Sequence, residues 1–307
     1  MNGHRREVSC LDVVKGKANI VASGSKDRKL IIWCFESGKI LDYVPEAHER
    51  LITCVKFLQS SNMRNGNLWS VLLFTSSRDR RVKMWRIQKK EWESQAYSIT
   101  LEQTLQGHVH SVWVIDCTLD YLVAGSADKT IRVWKNTSCE EKHSLQVDVP
   151  LYSPHCHFEN EGAGVRQLLI LENFSNLVLS GDLLGDLNMW NIETKTLQYS
   201  VPELSTVEGH RQSLFRIAGA VIGMSQVKSS GTIAVAFGSE RIDLFSTSEA
   251  FNQLRLLRSI DLNSSTLNIL PQRSEHRYVR GILATQTELY VCGISGKHGL
   301  LLFDFWK

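Results

Sequence analysis

The sequence predicts an all-β protein built from repeated units, and two observations carry this prediction. First, one strand–turn–strand pattern recurs and closes each time on a tryptophan. Its copies run from Ile20 to Trp33, from Leu72 to Trp85, from Tyr121 to Trp134 and, more weakly, from Leu177 to Trp190. Each copy has an apolar β-prone run, a polar turn and a second run that alternates apolar and polar residues. Second, no stretch shows the period of an amphipathic helix. Internal repetition of this kind takes precedence over local propensity in predicting the fold.

The repeats continue through the chain, which we divide as one domain of six repeats. Their predicted boundaries are 3–45, 46–105, 106–149, 150–207, 208–270 and 271–307. In repeat five, residues 214–217 are expected to form the first strand. Four stretches are expected to be loop insertions, at 58–67, 89–95, 139–164 and 221–230.

The composition is ordinary for a globular protein. The 307 residues carry a net charge of +3 and 22% charged side chains, a balance that does not by itself indicate nucleic acid. No apolar run approaches the roughly 20 residues that a membrane helix needs, and the first residues lack the apolar core of a secretory signal. The seven cysteines are scattered, so we expect reduced thiols and a location in the cytoplasm or nucleus.

Four features recur in the same order: a Gly-His pair, a strand, a turn of the type Ser-Gly-Ser-x-Asp, and a strand closing on Trp. This order resembles the WD repeat. The resemblance implies a β-propeller of four-stranded blades around a central channel, with six readable blades. A seven-bladed ring that is open or incomplete is the alternative. Neither end of the chain offers a strand to complete a blade begun by the other, so we expect the chain to belong to a longer polypeptide or to lack a seventh repeat.

The resemblance also implies a buried network in each blade, because in this family the loop His, a strand Ser or Thr, the turn Asp and the closing Trp are hydrogen-bonded together. By position the members are His4, Ser23, Asp27 and Trp33, then His48, Thr75, Asp79 and Trp85, then His108, Asp128 and Trp134. Repeat three has Ala124 where the hydroxyl should be, and repeat four has Leu184 at the Asp position. We therefore expect the network to be most complete in the first two blades and the last three blades to depend mainly on apolar packing.

A Ser–His–Asp set also raises the question of a hydrolase triad. A triad needs an exposed nucleophile beside an oxyanion hole. Here the set recurs in blade after blade, and Ser23 lies inside a predicted strand. We therefore predict no catalytic residues and no enzyme activity.

The candidate partner-binding residues are basic. We name the turn between the second and third strands of a repeat its upper turn; in a propeller these turns share one face with the Gly-His loops. The upper turns of repeats one to three carry Lys26, Arg28, Arg78, Arg80 and Lys129. Such a surface would favour an acidic or phosphorylated partner. An ordinary solvated rim is the alternative explanation.

Two further arginines, Arg166 and Arg280, lie in the predicted first strands of repeats four and six. WD-repeat substrate receptors of the F-box type hold phosphorylated segments with arginines at such positions and at the position of Arg78. The resemblance thus adds Arg166 and Arg280 to the candidate set, since the guanidinium group suits phosphate. The chain contains no F-box pattern.

A zinc site is a weaker hypothesis. Cys139, His143, His155, Cys156 and His157 fall within one predicted insertion, but no Cys-x-x-Cys pair is present and the spacing is unlike structural zinc sites. We expect neither a metal nor a cofactor.

The sequence thus favours a non-catalytic scaffold for protein–protein interaction. A substrate-recognition subunit of a ubiquitin ligase is the first alternative. An RNA-binding propeller is the second, and it is disfavoured because few aromatic residues accompany the basic ones. The expected partners are other proteins with acidic or phosphorylated segments, neither nucleic acid nor membrane. We expect a monomeric propeller within a larger protein or complex.

Overall fold

A computed structural model of the chain contains β-strands and no helix in the residues it describes. The described residues are 3–14, 19–58, 63–65, 68–89, 97–137, 151–171, 174, 176–201, 220–227, 230–238, 241–248, 253–261, 278–284, 288–294 and 300–304. They divide into two compact units, residues 1–160 and 161–307.

The first unit contains three antiparallel sheets, which we call blades 1 to 3. Blade 1 consists of β1 (Val8–Val14), β2 (Ile20–Ser25), β3 (Leu30–Cys34) and β4 (Ile40–Val44). Blade 2 consists of β5 (Ile52–Phe57), β6 (Met63–Asn65), β7 (Leu68–Ser77), β8 (Val82–Lys89) and β9 (Tyr97–Leu105). Blade 3 consists of β10 (Val112–Cys117), β11 (Tyr121–Ser126), β12 (Thr130–Asn136) and β13 (Tyr152–Glu159). Strands pair in chain order, except that β6 pairs only with β7.

The second unit contains blades 4 to 6. Blade 4 consists of β14 (Val165–Ile170), β15 (Leu177–Asp182), β16 (Leu187–Asn191) and β17 (Thr196–Val201). Blade 5 consists of β18 (Val221–Gln226), β19 (Ile233–Phe237), β20 (Arg241–Ser248) and β21 (Gln253–Asp261). The described strands of blade 6 are β22 (Tyr278–Ala284), β23 (Glu288–Ile294) and β24 (Leu300–Asp304).

Three assignments differ from the sequence prediction. Strand β13 lies in the predicted insertion 139–164 and pairs with β12, so blade 3 extends past the predicted boundary at 149. Strand β18 lies in the predicted insertion 221–230 and is the first strand of blade 5; residues 214–217, predicted for that role, lie outside the described residues. Strand β6 lies in the insertion 58–67 and forms a hairpin with β7. These strands were missed because no Gly-His or Trp marks them, and only pairing with a neighbour identifies them.

A β-bulge recurs at one place in the first strand of every blade. The extra residues, found between register-shifted pairs, are Ser9, Thr53, Trp113, Arg166, Ile222 and Arg280. A bulge re-aims the side chain of the extra residue. In the first unit two of these side chains bond to the next blade: Ser9 Oγ donates to the carbonyl of Ile52, and Thr53 Oγ1 donates to the carbonyl of Val112 at 2.6 Å. The bulge therefore links consecutive blades.

Apolar side chains fill the spaces between neighbouring blades. Between blades 1 and 2, Ile20, Leu30 and Ile32 pack with Ile52 and Phe57. Burying an aliphatic side chain of this size contributes about 1.5–3 kcal/mol. Similar clusters join blade 2 to blade 3 and blade 4 to blade 5. The repeat can thus be stable only as a stack, because one blade alone leaves its apolar faces uncovered.

A charged group also ties the first strands of blades 1 to 3 together. Asp12, Lys56 and Asp116 occupy the same place on β1, β5 and β10. Lys56 Nζ lies 3.2 Å from Asp116 Oδ1, and Asp12 Oδ2 accepts the backbone N–H of Phe57 at 2.7 Å. Asp116 raises the pKa of Lys56 above its usual value despite the opposing effect of burial. The ammonium group therefore compensates two carboxylates that are largely withdrawn from water.

Lys56→Met should destabilise the first unit, since it leaves Asp12 and Asp116 without their cation. We expect a loss of about 1–3 kcal/mol in urea unfolding, discounted for the 36% exposure of the lysine side chain. Lys39→Met, an exposed lysine in blade 1, is the control and should change stability by less than about 0.5 kcal/mol. Equal losses in the two variants would contradict the role of Lys56.

Candidate functional site

The upper turn of blade 1 is held by the carboxylate of Asp27. Asp27 Oδ2 accepts the backbone N–H of Arg5 at 2.7 Å, and Oδ1 accepts that of Lys29 at 3.0 Å. The carboxylate thus fixes the turn and the preceding Gly-His loop against each other. The backbone N–H of Asp27 donates to Ser25 Oγ, which donates to the carbonyl of Glu7 at 2.9 Å.

Behind this turn the network runs inward from His4 to Trp33. His4 Nδ1 lies 3.1 Å from Asp27 Oδ1, His4 Nε2 lies 2.8 Å from Ser23 Oγ, and Trp33 Nε1 donates to Ser23 Oγ at 2.7 Å. Trp can only donate and a carboxylate can only accept. An imidazole with its proton on Nδ1 satisfies all of these partners: Nδ1–H donates to Asp27, and Ser23 donates its hydroxyl proton to Nε2.

Blade 2 has the same chain of bonds, buried more deeply. Trp85 Nε1 donates to Thr75 Oγ1 at 2.8 Å, Thr75 Oγ1 lies 2.7 Å from His48 Nε2, and His48 Nδ1 lies 2.8 Å from Asp79 Oδ2. Burial lowers the pKa of His48 and outweighs the attraction of Asp79. Burial raises the pKa of Asp79, but hydrogen bonds from His48 and from the turn more than reverse this, so that its pKa lies below the usual value.

Blade 3 lacks the central hydroxyl of the network. His108 Nδ1 bonds to Asp128 Oδ2 at 3.1 Å, but Ala124 stands where blades 1 and 2 have Ser23 and Thr75. His108 Nε2 is consequently buried without a hydrogen-bond partner. Thr130 Oγ1 compensates in part by donating to Asp128 Oδ1 at 2.6 Å.

Blade 4 replaces the missing turn carboxylate in a way that the sequence reading overlooked. Asp182 lies two residues before Leu184, at the place of Ser25 in blade 1. Its Oδ1 accepts the N–H groups of Leu184, Gly185 and Asp186 at 2.8, 2.9 and 3.0 Å, and its Oδ2 accepts that of Ala163 at 2.9 Å. Trp190 Nε1 still donates to Ser180 Oγ at 2.8 Å. Blade 4 is therefore closed by a polar network as well as by packing. The acidic residue in Ser-Gly-Asp was the signal in the sequence.

The hydroxyls of these networks are not nucleophiles. Ser23 is 5% exposed and Thr75 is 0% exposed. Each hydroxyl donates to the His and accepts from the Trp indole, which leaves no face open to a substrate. The Ser–His–Asp sets of blades 1 and 2 therefore serve the fold.

Two of the basic residues on the upper turns are paired with glutamates that the sequence reading did not consider. Lys26 Nζ lies 2.6 Å from Glu7 Oε2, and Arg28 Nη2 lies 3.0 Å from Glu46 Oε1. Glu7 directly precedes β1 and Glu46 precedes the Gly-His-type loop of blade 2, so both acids lie on the same side of the blade as the upper turns. The basic surface of blade 1 is accordingly reduced in charge.

Arg78, Arg80 and Lys129 present a different situation. All three are exposed, and the structure shows no ion pair to any of them within the described residues. Arg78 and Arg80 flank Asp79, whose carboxylate is occupied by His48 and by the backbone N–H groups of Glu49 and Arg81. In this turn Arg81 pairs with Glu49, whereas the charges of Arg78 and Arg80 are not neutralised by an ion pair within the described residues.

Arg166 and Arg280 both lie in the second unit. Each is the extra residue of the first-strand bulge, Arg166 in blade 4 and Arg280 in blade 6. Arg166 is exposed; the side chain of Arg280 lies outside the described residues.

The zinc hypothesis gains no support where it can be examined. Cys139 and His143 lie outside the described residues, and His155, Cys156 and His157 belong to β13. Within the described ranges no three His, Cys, Asp or Glu side chains stand together in a way that could hold a metal ion. None of the described segments forms a helix long and apolar enough to cross a membrane.

Comparison with known families agrees with the repeated geometry of the upper turns. The family described as "WD domain, G-beta repeat" matches residues 1–34, 40–86 and 99–135. The chain contains WD repeats over these residues. The WD-repeat family is generally non-catalytic, and the relationship supports a scaffold for protein interactions.

Similar curated proteins share part of the chain. "WD repeat-containing protein pop2" of Schizosaccharomyces pombe is 28% identical over 178 residues, which are 50% of this chain and 24% of that protein. "Eukaryotic translation initiation factor 3 subunit I" of Eremothecium gossypii is 32% identical over 133 residues, 42% of this chain and 32% of that protein. The matches thus span about a quarter to a third of these relatives.

Solved structures show the same fold over almost the whole chain. The structure described as "Structure of U3-55K" superposes with a TM-score of 0.67 at 20% identity, covering 95% of this chain and 75% of that one. A chain of "Crystal Structure of Mitotic Checkpoint Complex" gives 0.67 at 14% identity, covering 100% and 77%. These structural neighbours confirm the predicted β-propeller fold class.

Ala124→Ser should stabilise the protein, because the new hydroxyl can donate to His108 Nε2 and accept from Trp134. We expect a gain of about 1 kcal/mol in the free energy of unfolding. Ala22→Ser is the matched control, since Ala22 is equally buried within an apolar cluster and its new hydroxyl should destabilise. A loss of stability in Ala124→Ser would contradict the proposed bond.

Stability should fall in two stages as the pH is lowered. The folded pKa of His48 is depressed, so the unfolded chain takes up a proton below about pH 6.5 before the folded protein does, and stability declines. The pKa values of Asp27, Asp79 and Asp128 are also depressed, so their contribution is present above about pH 4 and is lost below it. Chemical unfolding at several pH values measures both stages. His48→Asn should flatten the first stage; an unchanged slope there would refute the assignment.

Proposed function

We propose that this WD-repeat protein is a non-catalytic interaction scaffold, and that the upper turns of blades 1 to 3 bind an acidic or phosphorylated segment of a partner protein. One similar protein is named as a subunit of a translation initiation factor, which supports a role within a complex. The free cysteines of the described residues and the names of the relatives fit the cytoplasm or nucleus.

The observation that carries this proposal is the upper turn of blade 2. Arg78 and Arg80 are exposed on either side of a turn whose backbone is fixed by the buried Asp79. A fixed backbone reduces the entropy that binding would otherwise cost. Guanidinium groups bind carboxylates and phosphates through two parallel hydrogen bonds. Blade 2 is therefore the centre of the proposed surface, with Lys129 of blade 3 extending it.

Lys26 and Arg28 contribute less than the sequence alone would suggest. Their partners Glu7 and Glu46 already hold them at 2.6 and 3.0 Å. An incoming acidic group would have to displace these carboxylates. Such exposed pairs contribute only about 0–1 kcal/mol, so a strongly charged partner could exchange with them.

A second candidate is recognition of a phosphorylated substrate by a ubiquitin ligase. It is supported by the equivalence of Arg166 and Arg280, which occupy the same bulge in two blades of the second unit. A bulge turns the extra side chain out of the regular alternation. This candidate requires phosphate, whereas the first also accepts carboxylate.

RNA binding has less support. Binding of single strands relies on exposed aromatic rings that stack on bases. In the described residues the large exposed aromatic side chains are Phe35 and Tyr43, both in blade 1. Neither lies on the upper turn of blade 2.

Arg78→Glu should weaken binding of a fluorescein-labelled oligoglutamate peptide at least about tenfold in fluorescence polarisation, because repulsion replaces attraction at the centre of the surface. Arg255→Glu makes the same charge change on the exposed fourth strand of blade 5 and should leave the affinity unchanged. A peptide carrying phosphoserine distinguishes the second candidate: phosphate-dependent binding that Arg166→Ala weakens would favour it. Equal affinities of wild type and Arg78→Glu would contradict the first.

A further inference from the structure

The upper turns of blades 1 to 3 hold their basic residues in a strained backbone conformation. Arg28, Arg80 and Lys129 have φ angles of 72°, 73° and 68°. Each directly follows the network aspartate of its blade. In this left-handed region the Cβ of an L-residue crowds the following backbone, which is unfavourable. Gly, Asn and Asp adopt it readily, whereas Arg and Lys seldom do.

The upper turn of blade 4 has a glycine at the position that carries a cation in blades 1 to 3. Gly185, at φ 99°, occupies the equivalent position in the upper turn of blade 4. The turn geometry therefore does not require a basic side chain. Three neighbouring blades nevertheless carry a cation there in spite of the strain.

An internal control lies on the turn between the third and fourth strands. Lys195 of blade 4 has a φ of 58°, and the equivalent residue in blade 1 is Gly38 at φ 64°. Lys195 is exposed. Lys195 thus has the same charge and the same backbone strain as the residues of the upper turns, but it lies on the turn at the opposite end of a blade.

From this pattern we propose that the left-handed positions form a contact row for the partner. Arg80 and Lys129 are its binding residues. Arg28 has the equivalent position in blade 1, but its ion pair with Glu46 makes it less available to the partner. The inference deepens the proposed function and rests on it. Backbone strain that persists at equivalent sites is typical of functional positions. Blades 2 and 3 are neighbours through β5 and β10, so one extended acidic segment lying across two blades would meet both cations.

An acidic polypeptide fits this row better than RNA does. In blade 1, Lys29 lies 5.7 Å from the ring of Tyr43, which gives that turn an aromatic neighbour. The residues paired equivalently in blades 2 and 3 are Thr104 and His157. Thr104 has no ring that could stack on a base beside Arg80, so among these two positions only the exposed imidazole of His157 in blade 3 could do so.

The test compares the double variant Arg80→Asn/Lys129→Asn with Lys195→Asn in the full chain. Asparagine tolerates the left-handed region and removes the charge without the added chain entropy of glycine. Both proteins should melt about 2–4 °C or more above wild type, because each loses strain. Only the double variant should lose affinity for the labelled oligoglutamate peptide, by about tenfold.

The outcomes separate this inference from the proposed function. Unchanged affinity in the double variant, with binding still weakened by Arg78→Glu, would overturn the contact row and leave the proposed function standing. Failure of the wild type to bind the peptide would overturn both. An oligouridine RNA that binds more tightly than the peptide, and loses affinity in the double variant, would overturn the acidic polypeptide as occupant. A rise in melting temperature with tenfold weaker peptide binding would support the inference.

Discussion

In blades 1 to 4 one interaction holds the upper turn in place. A buried carboxylate accepts hydrogen bonds from backbone N–H groups of that turn. A carboxylate offers several lone pairs and can gather backbone N–H groups from two segments that are distant in sequence. Asp27 does this for the loop at Arg5 and the turn at Lys29. The turn and the preceding loop cannot then move independently. The backbone of the basic residues beside the aspartate is therefore fixed as well, and a binding surface requires residues in fixed positions.

Blades 3 and 4 differ from blades 1 and 2 in this network, and the differences show which part of it is kept. Blade 3 has lost the hydroxyl and leaves His108 Nε2 unpaired, yet it keeps Asp128 and the same turn. Blade 4 has lost the aspartate from its usual place, yet Asp182 supplies a carboxylate from two residues earlier and gathers four N–H groups. The carboxylate is thus retained in both blades while the surrounding residues change. This fits the high cost of leaving buried backbone groups unpaired.

Much of the fold could be predicted because WD repeats encode it locally. The strands that contain Trp33, Trp85, Trp134 and Trp190 lie where the alternating pattern indicates. The hydrogen bonds of blades 1 and 2 join the side chains that the repeat positions had suggested. Prediction failed where the pattern is not local. Strands β13 and β18 carry no marker residues and are defined by their pairing with β12 and β19.

The sequence by itself determined the all-β class, the repeat and the residues of the networks in blades 1 and 2, because each of these repeats carries its own alternation and its own turn residues. Only the tertiary structure decided which cations remain available. Lys26 and Arg28 meet Glu7 and Glu46 from separate segments, and such pairings depend on how the chain returns to the same place. The left-handed backbone of Arg80 and Lys129 was also invisible in the sequence, since the turn geometry imposes it on whichever residue stands there.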